Sequence, residues 1–282
     1  MTIREEIIAQ ALAVPQMPAP VMRIVSYLGD PNADMNAVAT LIEYDPGLTV
    51  NVLRMANSSF FNSGAPVTNA REALFRLGTR RVVQLAIASG VAVSARAEVK
   101  GYGLAEGELL RFSISVGLAA ELAARNAGTT APDHTFTAGL LCSIGKLVLG
   151  KFLEVDAGPI LELAAGENLS FEQAERRLLG IDHAELGAML LARWELPEPI
   201  VVCVRWHLDP CSAPNRDLAL DLVHVGLVLT SMAGIAQGVD GMQYEVCQES
   251  LARVGLTPEG VNDSLAGLVE SLGEIEEILS QV

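Results

Sequence analysis

The chain has 282 residues, 50% of them hydrophobic, with a formal net charge of −15 and a pI near 4.6. A chain this long and this apolar can bury a sizeable core, which excludes a disordered polypeptide. The acidic balance argues against nucleic acid or an anionic membrane surface as the main partner, since both require a basic face.

The four cysteines (Cys142, Cys203, Cys211, Cys247) are widely spaced and form no C-x-x-C pair, so the expectation is reduced, mostly buried thiols. The first ten residues carry Glu5 and Glu6 and lack a basic region followed by an apolar run. The run Leu222 to Ala236 is interrupted by His224, Gly226, Thr230, Ser231 and Gly234, too short and too polar for a membrane span. A soluble, cytoplasmic protein is expected.

Helical punctuation recurs along the chain and strict period-two alternation is scarce, which predicts an all-α fold. Asp45-Pro46 is a helix start, after which Leu48, Val52 and Met55 share one face. Asn69 and Glu72 have capping-box spacing, and Gly78 ends the short helix they open. Val82 to Ala95 reads as a largely buried helix. The glycines at 101, 103 and 107 then mark a boundary between an N-terminal helical lobe, 1–103, and a second lobe, 104–282. Leu109 to Asn126 predicts a long amphipathic helix, and Phe136 to Phe152 a second, nearly all-apolar and therefore central one. Ser170 with Gln173, and Asp182 with Glu185, repeat the capping device on either side of Gly180, and Pro197 and Pro199 mark the next boundary. Helices are expected near 171–179, 183–194, 198–208 and 217–236, followed by two more polar ones, the last an acidic solvated face.

Three stretches together make the chain resemble the HDOD family, all-α relatives of the HD and HD-GYP phosphohydrolases associated with bacterial signalling. The first runs from Pro15 and Met17-Pro18-Ala19-Pro20 through Leu41 to Leu48 and on to Leu53-Arg54-Met55-Ala56-Asn57-Ser58. The second is Ala70 to Gly78 with Arg80 and Arg81, and the third is Ala138 to Lys146 joined by Asp182 to Gly187 and Trp194-x-x-Pro197. The resemblance implies two helical lobes, the second an HD-like bundle.

It also implies where a metal would sit. An active HD site takes a histidine from the helix before a His-Asp pair, the pair itself, downstream histidines and a late aspartate. Here those positions fall on Phe112, on Cys142-Ser143, on His183 and His207, and near Leu227. Two imidazoles alone hold a hydrolytic divalent ion too weakly, because such a site needs more ligands, usually a carboxylate among them. Cys142 could add a soft third ligand only as a thiolate. The expectation is no resident metal, no cofactor and no catalysis, with His183 and His207 the residual metal candidates. Phe112, Cys142, Ser143, His183, His207 and Leu227 would line a degenerate pocket.

Ordinary structural roles compete at each position. His183 reads as a first-turn histidine, His207 as a half-buried one, His224 as a core or groove histidine and His134 as exposed near a helix start. Asn57 reads as a helix C-terminal clamp, and Arg80 and Arg81 as a solvated pair. The resulting expectation is a non-catalytic regulatory module acting on signalling proteins or on a ligand in the degenerate cleft. The alternatives are a weak metal-dependent phosphohydrolase using His183, His207 and Cys142 with Asp182 or Glu185, and a sensor binding a small nucleotide without turnover.

Overall fold

Local capping decides where the helices begin and end. The computed structural model describes residues 2–14, 19–25, 27, 34–57, 64–153, 157–241, 244 and 246–281; Pro15, Met17, Pro18, Ser58, Phe60 and Phe61 lie outside them. Among the described residues the regular structure is helical, apart from one isolated bridge between Val99 and Leu104.

The first part of the chain contains α1 (Ile3–Ala13), α2 (Ala19–Val25), α3 (Met35–Glu43), α4 (Pro46–Ala56) and α5 (Ala70–Ala95). Asp45 caps α4 by accepting the Leu48 N–H at 3.0 Å. Asn57 holds the end of α4 as expected: its Nδ2 donates to the carbonyls of Leu53 (2.9 Å) and Val67 (2.8 Å), and its Oδ1 accepts from the Val67 N–H at 2.6 Å. Asn69 accepts from the Glu72 N–H at 2.9 Å, but the Glu72 carboxylate reaches one residue further back, to Thr68. Gly78, at φ 80°, kinks α5 and separates a first part buried on one face only, through Ala70, Ala73 and Leu74, from the fully buried run Val82–Ala88.

Arg80 and Arg81 are not the solvated pair that the sequence predicts. Arg81 meets Glu121 at 2.7 Å, and Arg80 meets Glu121 at 3.4 Å and Asp133 at 3.2 Å. The buried amide of Gln84 adds a donor to Glu121 at 3.2 Å. Glu121 belongs to α6 (Glu108–Asn126), so the arginines fasten α5 to the second part of the chain.

That part continues with α7 (Thr135–Leu141), α8 (Lys146–Phe152), α9 (Gly158–Glu167), α10 (Phe171–Leu179), α11 (His183–Arg193), α12 (Glu198–Trp206), α13 (Leu218–Met232), α14 (Gln248–Val254) and α15 (Pro258–Gln281). Helix α6 is the central post, packed against α7, α13 and α15. The stretch Thr135–Phe152 is long and apolar enough to cross a membrane, but 83% of it is buried within the fold, where its apolar surface serves packing.

The predicted single helix over 136–152 is divided. Between Cys142 and Gly145 the backbone stays right-handed, but the hydrogen bonds shorten to the i→i+3 type, such as Ile144 N–H to Leu141 O at 3.0 Å and Lys146 N–H to Ser143 O at 3.0 Å. The turn tightens where α11 crosses it. A Cβ at Gly145 would stand 1.9 Å from the His183 carbonyl oxygen and 2.8 Å from the Gly187 nitrogen. Gly145→Ala is therefore expected to destabilise by about 2–3 kcal/mol in chemical denaturation, because backbone on both sides must move. A loss below about 0.5 kcal/mol would mean that α8 and α11 are not in contact here.

The cysteines divide as well. Cys142 and Cys203 are buried free thiols, whereas Cys211 and Cys247 form a close pair across a 7.3 Å Cα–Cα separation, wider than an unstrained disulfide spans. Spacing in sequence could not reveal that pair, because the two stand 36 positions apart with all of α13 between them.

Candidate functional site

The site forms around the start of α11. Asp182 caps that helix by accepting the Glu185 N–H at 2.7 Å, and its other oxygen takes the Arg176 guanidinium. The cap orients the first turn so that His183 points inward and is 1% exposed. Helix α10 supplies the group that receives it: one oxygen of the buried Glu175 accepts the His183 backbone N–H at 3.0 Å and its Nδ1–H at 2.8 Å. The other oxygen accepts the Tyr102 hydroxyl. Burial alone would push His183 down, but the Glu175 carboxylate more than offsets it and holds the imidazolium above the ordinary histidine pKa.

His207 follows α12 and donates Nδ1–H to the Val204 carbonyl at 2.8 Å, with its ring centroid 6.0 Å from that of His183. Burial, then the neighbouring His183, push its pKa down to about 3, so it is a neutral imidazole at neutral pH. The Nε2 atoms of both histidines are buried without a hydrogen-bond partner among the described residues. His224 is the core histidine expected: its Nδ1–H donates to the His207 carbonyl at 2.8 Å, and its Nε2 accepts from the Cys247 N–H at 2.8 Å.

A lysine completes the cluster. Lys146 follows Gly145, and its buried ammonium donates to Asp240 at 2.6 Å and to the Tyr244 hydroxyl at 3.2 Å, while that hydroxyl also bonds Asp240. The ammonium lies 5.2 Å from the ring centroids of both Tyr102 and Phe112. Burial raises the Asp240 pKa, yet Lys146 outweighs it and holds the carboxyl below its ordinary range. Lys146 and His183 thus each face a buried carboxyl group, Asp240 and Glu175 respectively.

Of the six pocket residues predicted, Phe112, His183 and His207 meet in this cluster. Cys142 is buried, with Sγ 3.7 Å from the Ser143 Oγ, and burial pushes its thiol up to about 11, so without a metal ion it is a protonated thiol at neutral pH and not an activated nucleophile. Leu227 lies apart on α13, lining an open cleft of about 980 Å³ beside the cluster. Asp182, Ala184, Trp206 and Leu208, the chain neighbours of the two histidines, also line the cleft, but Phe112, Cys142, Ser143, His183 and His207 do not. The cleft carries Arg176, and Arg205 stacked over the Trp206 ring at 4.7 Å. The carboxylates considered for a hydrolase are engaged elsewhere, Asp182 as the cap and Glu185 with Arg4 (2.8 Å) and Arg205 (3.3 Å). On α13, Asp221 is buried before Leu227 and is bound by Arg216 (2.8 Å) and Arg253 (2.6 Å).

The carboxylates missed in the sequence are Glu175 and Asp240. Glu175 carried a readable signal, since it falls on the buried face of α10 with Phe171 and Ala174, where a charge requires a partner. Asp240 and Tyr244 lie between helices, where no periodicity marks an inward side chain.

The HDOD domain family model matches residues 14–210. An uncharacterized protein of Treponema pallidum (strain Nichols) is 26% identical over 207 residues, which are 72% of this chain and 39% of that protein, so the chain spans about two fifths of that relative. Solved structures share the fold: an HDOD domain protein of unknown function from Geobacter sulfurreducens (TM-score 0.68, 24% identity, covering 98% of this chain and 96% of that one). A candidate phosphohydrolase from Shewanella amazonensis SB2B does so too (TM-score 0.71, 23% identity, 98% and 97%). At these identities the structural likeness speaks for the fold, while the family model spans most of the chain and places it directly: this protein belongs to the HDOD family.

Proposed function

We propose that this HDOD protein is a non-catalytic regulatory module in signal transduction, working through protein contacts or through a small ligand in the cleft beside the degenerate HD site. The observation that carries this reading is that the cluster's side chains bond one another. Glu175 gives both oxygens to His183 and Tyr102, and Asp240 gives Oδ2 to Lys146 and Tyr244, so beside the two free imidazole nitrogens only Asp240 Oδ1 stands without a partner among the described residues, fewer donors than a hydrolytic ion site takes.

The ligand form of the reading has its own support. The Arg205–Trp206 stack in the cleft offers a guanidinium donor beside a flat surface, a combination suited to a nucleotide phosphate and base.

Two assays test the proposal on the full chain purified without chelator. Hydrolysis of bis(p-nitrophenyl) phosphate in the presence of manganese or iron is expected to stay at the buffer rate and to be the same in His207→Ala. Metal-dependent turnover lost in His207→Ala, or bound metal lost in His183→Ala, would overturn the non-catalytic reading. For the ligand form, calorimetric titration with nucleoside monophosphates and cyclic dinucleotides is expected to show saturable binding that weakens about tenfold or more in Arg205→Ala, without product. Absence of binding across the set would leave protein contacts as the mode of action.

A further inference from the structure

Away from the degenerate cleft, three side chains of different chemistry converge where α7, α12 and α13 meet. His134 precedes α7, Cys203 sits on the buried side of α12, and Asp217 caps α13. The ligand atoms of these three residues all lie within 4.8 Å of one another, and among the described residues they form the single group of three or more such donors that is this close. We propose that His134 Nε2, Cys203 Sγ and Asp217 Oδ2 bind a zinc-class divalent ion that ties the three helices together, with a fourth position open to water.

The distances suit that ion. In a tetrahedral zinc site, nitrogen and oxygen ligands at about 2.0–2.1 Å from the metal stand about 3.3 Å apart; His134 Nε2 and Asp217 Oδ2 are 3.1 Å apart. The carboxylate is already oriented, because Asp217 Oδ1 accepts the Leu220 N–H at 2.9 Å and leaves Oδ2 facing the imidazole. The third donor, the sulfur of Cys203, is fully buried and makes no hydrogen bond among the described residues. A sulfur, an imidazole and one carboxylate favour zinc over magnesium or calcium, which prefer oxygen-only shells.

Access is available from one side. The side chains of His134 and Asp217 are 21% and 48% exposed, so an ion can arrive from solvent while Cys203 holds it from within. Burial, with Asp217 and Asp221 nearby, keeps the thiol protonated without an ion. On binding, the S–H proton leaves to solvent and a zinc–thiolate bond replaces it. The same geometry contrasts with the histidine cluster, where His183 and His207 gather no third donor at this range.

The test is equilibrium dialysis of the full chain against buffered zinc, with bound metal read by plasma mass spectrometry. Cobalt substitution supplies a second readout through its sulfur-to-metal charge-transfer band. About one equivalent of zinc is expected. Cys203→Ala and His134→Ala should each weaken binding about tenfold or more and abolish the cobalt–sulfur band or shift it. Asp217→Ser retains a side-chain cap for α13 while removing the carboxylate, so weakened binding there cannot come from an uncapped helix. His183→Ala should retain the zinc, which separates this site from the degenerate cleft. Sub-stoichiometric zinc in the parent protein, or undiminished binding in folded Cys203→Ala and His134→Ala, would overturn the proposal.

Discussion

Lys146→Met is expected to cost about 3–5 kcal/mol of unfolding free energy, among the largest losses available to a single substitution in this protein. The side chains of Lys146 and Asp240 are 3% and 1% exposed, so removing the ammonium leaves a carboxylate facing only Tyr244 in the interior. Most of the loss is the desolvation of an anion that has lost its partner, not the strength of the pair itself. The double variant Lys146→Met/Asp240→Leu removes both charges and is expected to recover much of the stability, since an apolar pair avoids the desolvation cost. Guanidinium unfolding of the parent and both variants checks this. A single variant within about 1 kcal/mol of the parent would show that water reaches Asp240 and that the cluster is open.

The fold was legible in the sequence because helix ends are written locally. Ser170 and Gln173 make both arms of their capping box, Asp182 and Asp45 cap where expected, and Gly180 closes α10 in a left-handed conformation at φ 75°. Helices foreseen near 171–179, 183–194 and 198–208 run from Phe171 to Leu179, His183 to Arg193 and Glu198 to Trp206. What local rules miss is what distant segments do to one another. The tightening at Cys142–Gly145 depends on α11 pressing against Gly145, and the Glu121 clamp on Arg80 and Arg81 joins residues about 40 positions apart. The histidines of the site were found by their place in a motif. Their partners Glu175, Asp240, Tyr102 and Tyr244 were not, because a resemblance that locates metal-ligand positions says nothing about the side chains packed around them.

Acidification below neutral pH is expected to erode stability through the histidines before the lowered carboxylates are affected. His207 is held neutral, with its pKa lowered from the ordinary 6.5 to about 3. A histidine lowered on folding contributes fully above pH 6.5 and progressively less as the unfolded chain gains a proton that the folded one refuses. At about 1.36 kcal/mol per pH unit, the loss from His207 reaches about 2 kcal/mol by pH 5 and approaches 4–5 kcal/mol near pH 3. His224, lowered by burial, adds in the same direction. His183 has the opposite sign: raised by Glu175, its contribution is complete below 6.5 and is lost as pH climbs through its elevated value, so it shapes the alkaline side. Asp182 and Asp240, both lowered from 3.8, begin to act only below about pH 4, so in the window from 6.5 to 5 the loss comes from the histidines, while Glu172, raised above 4.5 by burial, works against it by taking up its proton first in the folded state. Urea unfolding at half-unit steps across that window should give a clear loss in the parent protein and a shallower one in His207→Leu, which cannot titrate. An identical slope in His207→Leu would mean that His207 protonates as freely in the folded state as in the unfolded chain. The imidazole would then face water, and the packed cluster would instead be a solvated site with room for a ligand.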